Sequence, residues 1–132
     1  MRYAEISRAV NAAVHSEGIF LACSHSRGTI FTDRVTSVEA VPATNTLKVS
    51  GCFQTITLTN LWDNNNASLM IHEENGGNCF QIVGVVSEII PCDGESNGYT
   101  HSLILILKPK HVLCMNEPAH DTHVEESLFH PV

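Results

Sequence analysis

The run "CFQIVGVVSEII", residues 79 to 90, constrains the fold more than any other stretch of the chain. It is long and rich in β-branched residues, so it reads as a strand, and Gly84 at its centre marks a bulge or a close backbone approach. "ENGGN" at 74 to 78 precedes it and is the strongest hairpin signal in the sequence, because Asn-Gly and Gly-Gly tolerate the positive φ of tight turns. "PCDGESNG" follows as a loop, and "YTHSLILILK" is an apolar run long enough for a central strand.

The rest of the chain extends this pattern. Tyr3, Ile6, Val10, Ala13 and Val14 recur at helical spacing, with Gly18 as a C-terminal stop, which predicts one amphipathic helix. "IFLACS" and "IFTDRVTSVEAV" flank the turn signal "HSRGT" and read as a hairpin; "PATNT" is a second turn and "LKVSG" a short strand. Six or seven strands joined by short turns, with one or two helices, predict an antiparallel barrel or sandwich.

At 132 residues and 43% hydrophobic composition the chain fits a single folded domain. The net charge is −7 and no lysine or arginine lies between Ser50 and Leu107, which argues against a nucleic-acid partner. The N-terminus carries charges and no long apolar run, so neither a secretory signal nor a membrane span is read there, and a cytoplasmic location is expected. Cys23, Cys52, Cys79, Cys92 and Cys114 contain no C-x-x-C pair and are expected to be reduced thiols, several of them buried. His120 and His123, with His130 beyond, lack a matching second pair of ligands, and no metal site is assigned. The tail from 116 to 132 is acidic and polar without clear periodicity, which leaves two readings: a loosely ordered segment, or one that packs on a partner chain through Leu128 and Phe129.

"TITLTNLWDNNNASLMI", residues 55 to 71, supports two incompatible readings. Thr55 to Thr59 alternate with the period of a strand, whereas Leu58, Leu61 and Trp62 have the spacing of one helix face. "ASLMIHE" then resumes strand character from Ala67.

The order of these elements, together with "T-x-x-NL-x-x-N-x-x-ASL", "FQIVGVVSEI" and a closing "LKPKHV", resembles the pyridoxamine 5'-phosphate oxidase-like FMN-binding split-barrel family over roughly residues 3 to 115. The resemblance implies a mainly β (α+β) fold: a six- to seven-stranded antiparallel split β-barrel of Greek-key type, with an N-terminal helix and one helix inserted after the third or fourth strand. It makes 57 to 64 helical, with Leu58, Leu61 and Trp62 covering the barrel and Thr55 or Thr57 capping the start. Asn64 to Asn66 then supply left-handed conformations at the helix end.

The same resemblance implies a homodimer with FMN at the interface, acting as a flavin-dependent oxidoreductase or electron-transfer protein, and sets Asp33, Arg34, Val35, Ser50, Gly51, Cys52 and Thr57 against the cofactor. An FMN phosphate carries about two negative charges and calls for a cation beside a helix N-terminus. Thr57 matches the family's hydroxyl residue, but the preceding position, often Lys or Arg, is Ile56. The nearby cations are Arg34 on the second strand and Lys48 at the start of the short strand, with Arg27 in a turn, so the resemblance leaves flavin binding either weakened or dependent on Arg34. The missing charge also leaves open a non-catalytic dimeric barrel that binds another ligand or none. Some proteins of similar fold bind haem through histidine, which would place the axial ligand at His15, His101 or His111. Pyridoxamine-phosphate oxidase activity itself is not expected, because the arginine-rich substrate site of those enzymes has no counterpart here.

Overall fold

A computed structural model describes residues 3–14, 16–24, 28–74, 78–92 and 99–114. His15, Arg27, Leu128, Phe129 and the tail histidines His120, His123 and His130 lie outside the described residues, as do 75–77 within the "ENGGN" signal.

The element order is α1 (Tyr3–Val14), β1 (Ser16–Ser24), β2 (Ile30–Val41), a short 3₁₀ turn (Pro42–Thr44), β3 (Thr46–Gln54), α2 (Thr55–Asp63), β4 (Asn66–Glu73), β5 (Cys79–Pro91) and β6 (Thr100–Cys114). The six strands close a barrel in the order β1-β2-β3-β6-β5-β4, every pairing antiparallel. Closure gives each strand a neighbour on both sides, although β2 pairs with β1 only over Ile30–Arg34 and with β3 only from Val35 onward. Two three-strand meanders are joined by α2, and β4 returns beside β1, the 4-1-2-3 neighbourhood of a Greek key.

Alternation explains the core. Leu47, Val49 and Phe53 on β3, Leu69 and Ile71 on β4, Phe80 and Ile82 on β5, and Leu103, Leu105 and Leu107 on β6 all point inward and are buried. α1 lies against β1, β2 and β4 through Ile6, Ala9 and Ala12, whose two alanines permit close approach, and Arg8 stands 5.4 Å from the Phe80 ring centroid. Val14, assigned to the buried face by its spacing, is 75% exposed. Gly18 does not stop the helix; it lies within β1, where the ladder to β4 shifts register between Ser16 and Gly18.

Gly84 behaves as its position in the long run predicts. The β5–β6 register shifts between Val83 and Gly84, and Gly84 pairs with Pro109, a proline tolerated because the ladder is already interrupted there. β4 and β5 pair antiparallel on either side of the 74–78 signal, and Glu73 N–H donates to the Asn78 carbonyl at 3.0 Å.

Residues 55–63 form a helix, α2, which resolves the ambiguous stretch. Thr57, Asn60 and Leu61 are its buried residues and Leu58 is half-buried, but Trp62, expected to cover the barrel, is 81% exposed. The helix ends at Asn64, whose N–H donates to the Asn60 carbonyl at 2.7 Å, without the expected left-handed residue. Asn64 is extended (φ −142, ψ 102), and its side chain does the work instead. Its Oδ1 accepts from Asn66 N–H at 3.2 Å and Asn66 Nδ2 at 2.8 Å, and its Nδ2 donates to Ser24 Oγ at 3.1 Å. Among the described non-glycine residues, positive φ occurs at Asn45 (φ 53), in the 42–46 turn.

Candidate functional site

The start of α2 is held from outside the helix. Gln54 occupies the N-cap with no side-chain cap of its own, and neither Thr55 nor Thr57 takes that role. Asp33, on the inward parity of β2, supplies an acceptor instead: its Oδ1 receives Gln54 N–H at 3.2 Å and Gln54 Nε2 at 3.1 Å, and its Oδ2 receives the Thr57 hydroxyl. A carboxylate beside a helix N-terminus also complements the helix dipole. Thr55 N–H donates to the Tyr99 carbonyl at 2.9 Å, and Thr55 Oγ1 lies 2.9 Å from His101 Nε2.

Beneath this first turn lies a buried polar cluster of Asp33, Thr57, Asn60 and Cys23. Neither amide atom of Asn60 makes a hydrogen bond within the described residues. Burial pushes the Cys23 thiol above its ordinary value; the Asn60 and Thr57 side chains act against the rise and the Asp33 charge adds to it. Of the five thiols Cys23 alone is fully buried, Cys52 is exposed, and the other three are half-buried, so fewer cysteines serve as core groups than expected.

These environments predict a labelling order. With a thiol-specific reagent at mildly alkaline pH, Cys52 should be modified first and Cys23 last, only after denaturant is added, as read by peptide mass spectrometry. The raised Cys23 value carries a sign: its stabilising contribution is complete below the ordinary thiol range and is lost as pH rises through the raised value. Cys23→Ala should therefore flatten the alkaline decline of stability.

Arg34 faces the other way from Asp33, as neighbours on a strand must. It is exposed on the outer surface of the barrel, opposite Phe20 of β1 in register. The β2–β3 register shifts between Val35 and Ser37, leaving Thr36 as the extra residue of a bulge. Beside it opens a cavity of about 520 Å³ lined by Arg34, Val35, Thr36 and Cys52, with Gly18 and Ile19 of β1. Gly51 brings the strands close: a Cβ there would stand 3.2 Å from the Arg34 carbonyl oxygen.

Three of the seven residues singled out from sequence, Arg34, Val35 and Cys52, thus meet at one cavity. Asp33 and Thr57 are turned into the protein and bonded to each other. Ser50 and Gly51 continue β3 beside them, Ser50 half-buried and Gly51 buried. Lys48 lies elsewhere, lining a groove with Glu39 and Glu88. His101 and His111 are half-buried residues of β6.

No protein-family profile matches the chain, and no curated protein matches it either. Solved structures do. An FMN-binding protein from Syntrophomonas wolfei superposes with a TM-score of 0.66 at 11% identity, over 86% of this chain and 88% of that one. A pyridoxamine 5'-phosphate oxidase-related, FMN-binding protein from Nostoc punctiforme gives 0.61 at 13% identity, over 83% and 81%. The chain has the pyridoxamine 5'-phosphate oxidase-like split-barrel fold. Group A Streptococcus HupZ is a further structure similar to this split barrel, with a TM-score of 0.64 at 11% identity, over 84% of this chain and 94% of that one.

The part of the site that sequence reasoning missed belongs to β1 and the end of α1, where Ala13 lines the cavity. Gly18 and Ile19 lie just past the Phe20–Arg34 end of the β1–β2 ladder, and a glycine near a helix end reads locally as a stop signal. The Thr36 bulge likewise leaves no mark in the alternation of "IFTDRVTSVEAV".

Proposed function

We propose that this split barrel binds FMN on the outer face of β2 and β3 and acts in cytoplasmic flavin-dependent electron transfer or reduction of a small molecule. The observation that carries the reading is the Arg34 cavity: an exposed guanidinium, a backbone bulge and a small thiol side chain around about 520 Å³, within the range of small-molecule sites. The similar structures described as FMN-binding support it.

In this reading Arg34 meets the phosphate as a charge-assisted donor, Val35 and Cys52 border the cofactor, and Asp33 with Thr57 fixes the start of α2 behind them. When bound, the flavin supplies the redox chemistry. In this reading another copy of the chain supplies the second flavin-binding surface.

The test is the absorption spectrum of the freshly purified protein, followed by an FMN titration read by flavin fluorescence and a mass measurement on the same sample. Bound or bindable FMN and a mass of two chains are the expected results. Arg34→Ala should weaken FMN by about ten- to a hundredfold, the equivalent of losing one charge-assisted hydrogen bond. A colourless protein that leaves FMN fluorescence unchanged overturns the proposal.

One observation favours a second reading, a non-catalytic dimer that has lost the flavin. Ile56 stands 38% exposed in the first turn of α2, where the family's pattern often has a cation, and the Asp33 carboxylate already faces that turn. A two-chain mass without FMN binding would select this reading.

A further inference from the structure

A second and larger cavity, of about 870 Å³, separates α2 from the β5–β6 pair and shares no lining residue with the Arg34 cavity. The chain builds it by tying α2 down at both ends. At the start, Thr55 is bonded to Tyr99 and His101; past the end, the Asn65 carbonyl accepts Val86 N–H at 2.8 Å. Between these ties the helix stands off the strands, and the floor of the cleft is apolar: Leu58, Leu61, Val86, Ile89 and Leu103.

The rim has a different character. Trp62 lines the cleft while 81% exposed, so most of a large aromatic surface is left in water beside an apolar floor. Asp63 and Glu88, both exposed, line it as well, Glu88 being shared with the Lys48 groove, and of basic side chains the described lining holds His101 but no lysine or arginine. An indole face attracts a cation, two carboxylates add to that attraction, and an apolar floor accepts the body that carries the charge. The same two carboxylates disfavour an anion such as a flavin phosphate.

We infer that the cleft between α2 and β5–β6 binds an organic cation, a quaternary or protonated amine on an apolar body, with Trp62 over the charge and Asp63 and Glu88 beside it. This site is independent of flavin binding at Arg34.

The chain contains one tryptophan, so Trp62 reports directly on its own site. Benzyltriethylammonium should change the tryptophan fluorescence saturably, at least about tenfold more tightly than benzenesulfonate of similar size. The double variant Asp63→Asn with Glu88→Gln should weaken the cation by about tenfold, and calorimetry on the same proteins should agree. Arg34→Ala should leave cation binding unchanged, whether or not FMN binds, which separates failure of this site from failure of the flavin reading. The inference is overturned if the sulfonate binds as well as the ammonium, if the double variant keeps full affinity, or if neither fluorescence nor calorimetry detects the cation.

Discussion

Asp33→Ala is expected to destabilise the fold by about 3 kcal/mol, read from urea unfolding followed by circular dichroism. The carboxylate accepts from Gln54 N–H, Gln54 Nε2 and the Thr57 hydroxyl, and two of these donors belong to the junction where β3 becomes α2. A hydrogen bond to a charged group contributes roughly 1.5–3 kcal/mol, and a buried donor left without an acceptor costs about 1–3 kcal/mol. Thr57 is 1% exposed, so water cannot replace the lost acceptor without opening the helix. Asp33→Asn keeps an acceptor for Gln54, and Thr57 can accept from the new amide, so about 1 kcal/mol is expected there. Thr57→Val removes the buried hydroxyl and leaves Asp33 its Gln54 bonds, and should fall between the two. If Asp33→Ala and Asp33→Asn proved equally mild, the carboxylate would not be what holds α2.

That junction also shows where sequence reading ran out. "IFTDRVTSVEAV" predicted β2 over the 30–41 span observed, because β-propensity and turn signals are local. Which of Asp33 and Arg34 faces inward is not local: the parity of a strand is fixed by its partners, and a buried carboxylate runs against the hydrophobic pattern. The same limit produced the ambiguity of Thr55 to Thr59. As isolated residues they alternate like a strand, but the β3–β6 ladder ends at Gln54 and Thr100, and Asp33 receives the next turn. Tertiary bonding decides against the local period.

The helix stop at Asn64 was legible in the run of asparagines, while its mechanism was not. An asparagine satisfies a helix end either through its backbone or through its side-chain amide, and the position of Ser24 selects the second. At the candidate site, the cation and the small residues were visible as Arg34, Gly51 and Cys52. The β1 wall was hidden, since Gly18 and Ile19 come beside Arg34 only where β1 lies along β2, just past the Phe20–Arg34 pair.

Gly84 is the position where one added carbon should cost most among the glycines of the barrel strands. A Cβ built there would stand 2.3 Å from the Lys108 carbonyl oxygen, 3.0 Å from its carbonyl carbon and 3.1 Å from Pro109 Cα. All three are backbone atoms of β6, so relief requires moving a strand that also pairs with β3. Overpacking a well-filled interior costs about 1–3 kcal/mol when side chains can yield, and Gly84→Ala is expected at or above about 3 kcal/mol because they cannot. The glycine's own dihedrals do not contribute, since Gly84 is outside the positive-φ region. Gly18 supplies the control on β1: the three atoms nearest a Cβ there all belong to the Phe20 ring, the first at 2.8 Å (Cε2), and that ring is partly exposed and can swing away. Gly18→Ala should cost below about 1 kcal/mol, offset in part by the reduced freedom of the unfolded chain. Equal midpoints for the two variants in urea would mean that β6 yields at Lys108 and that the close approach of β5 and β6 is not fixed by this glycine.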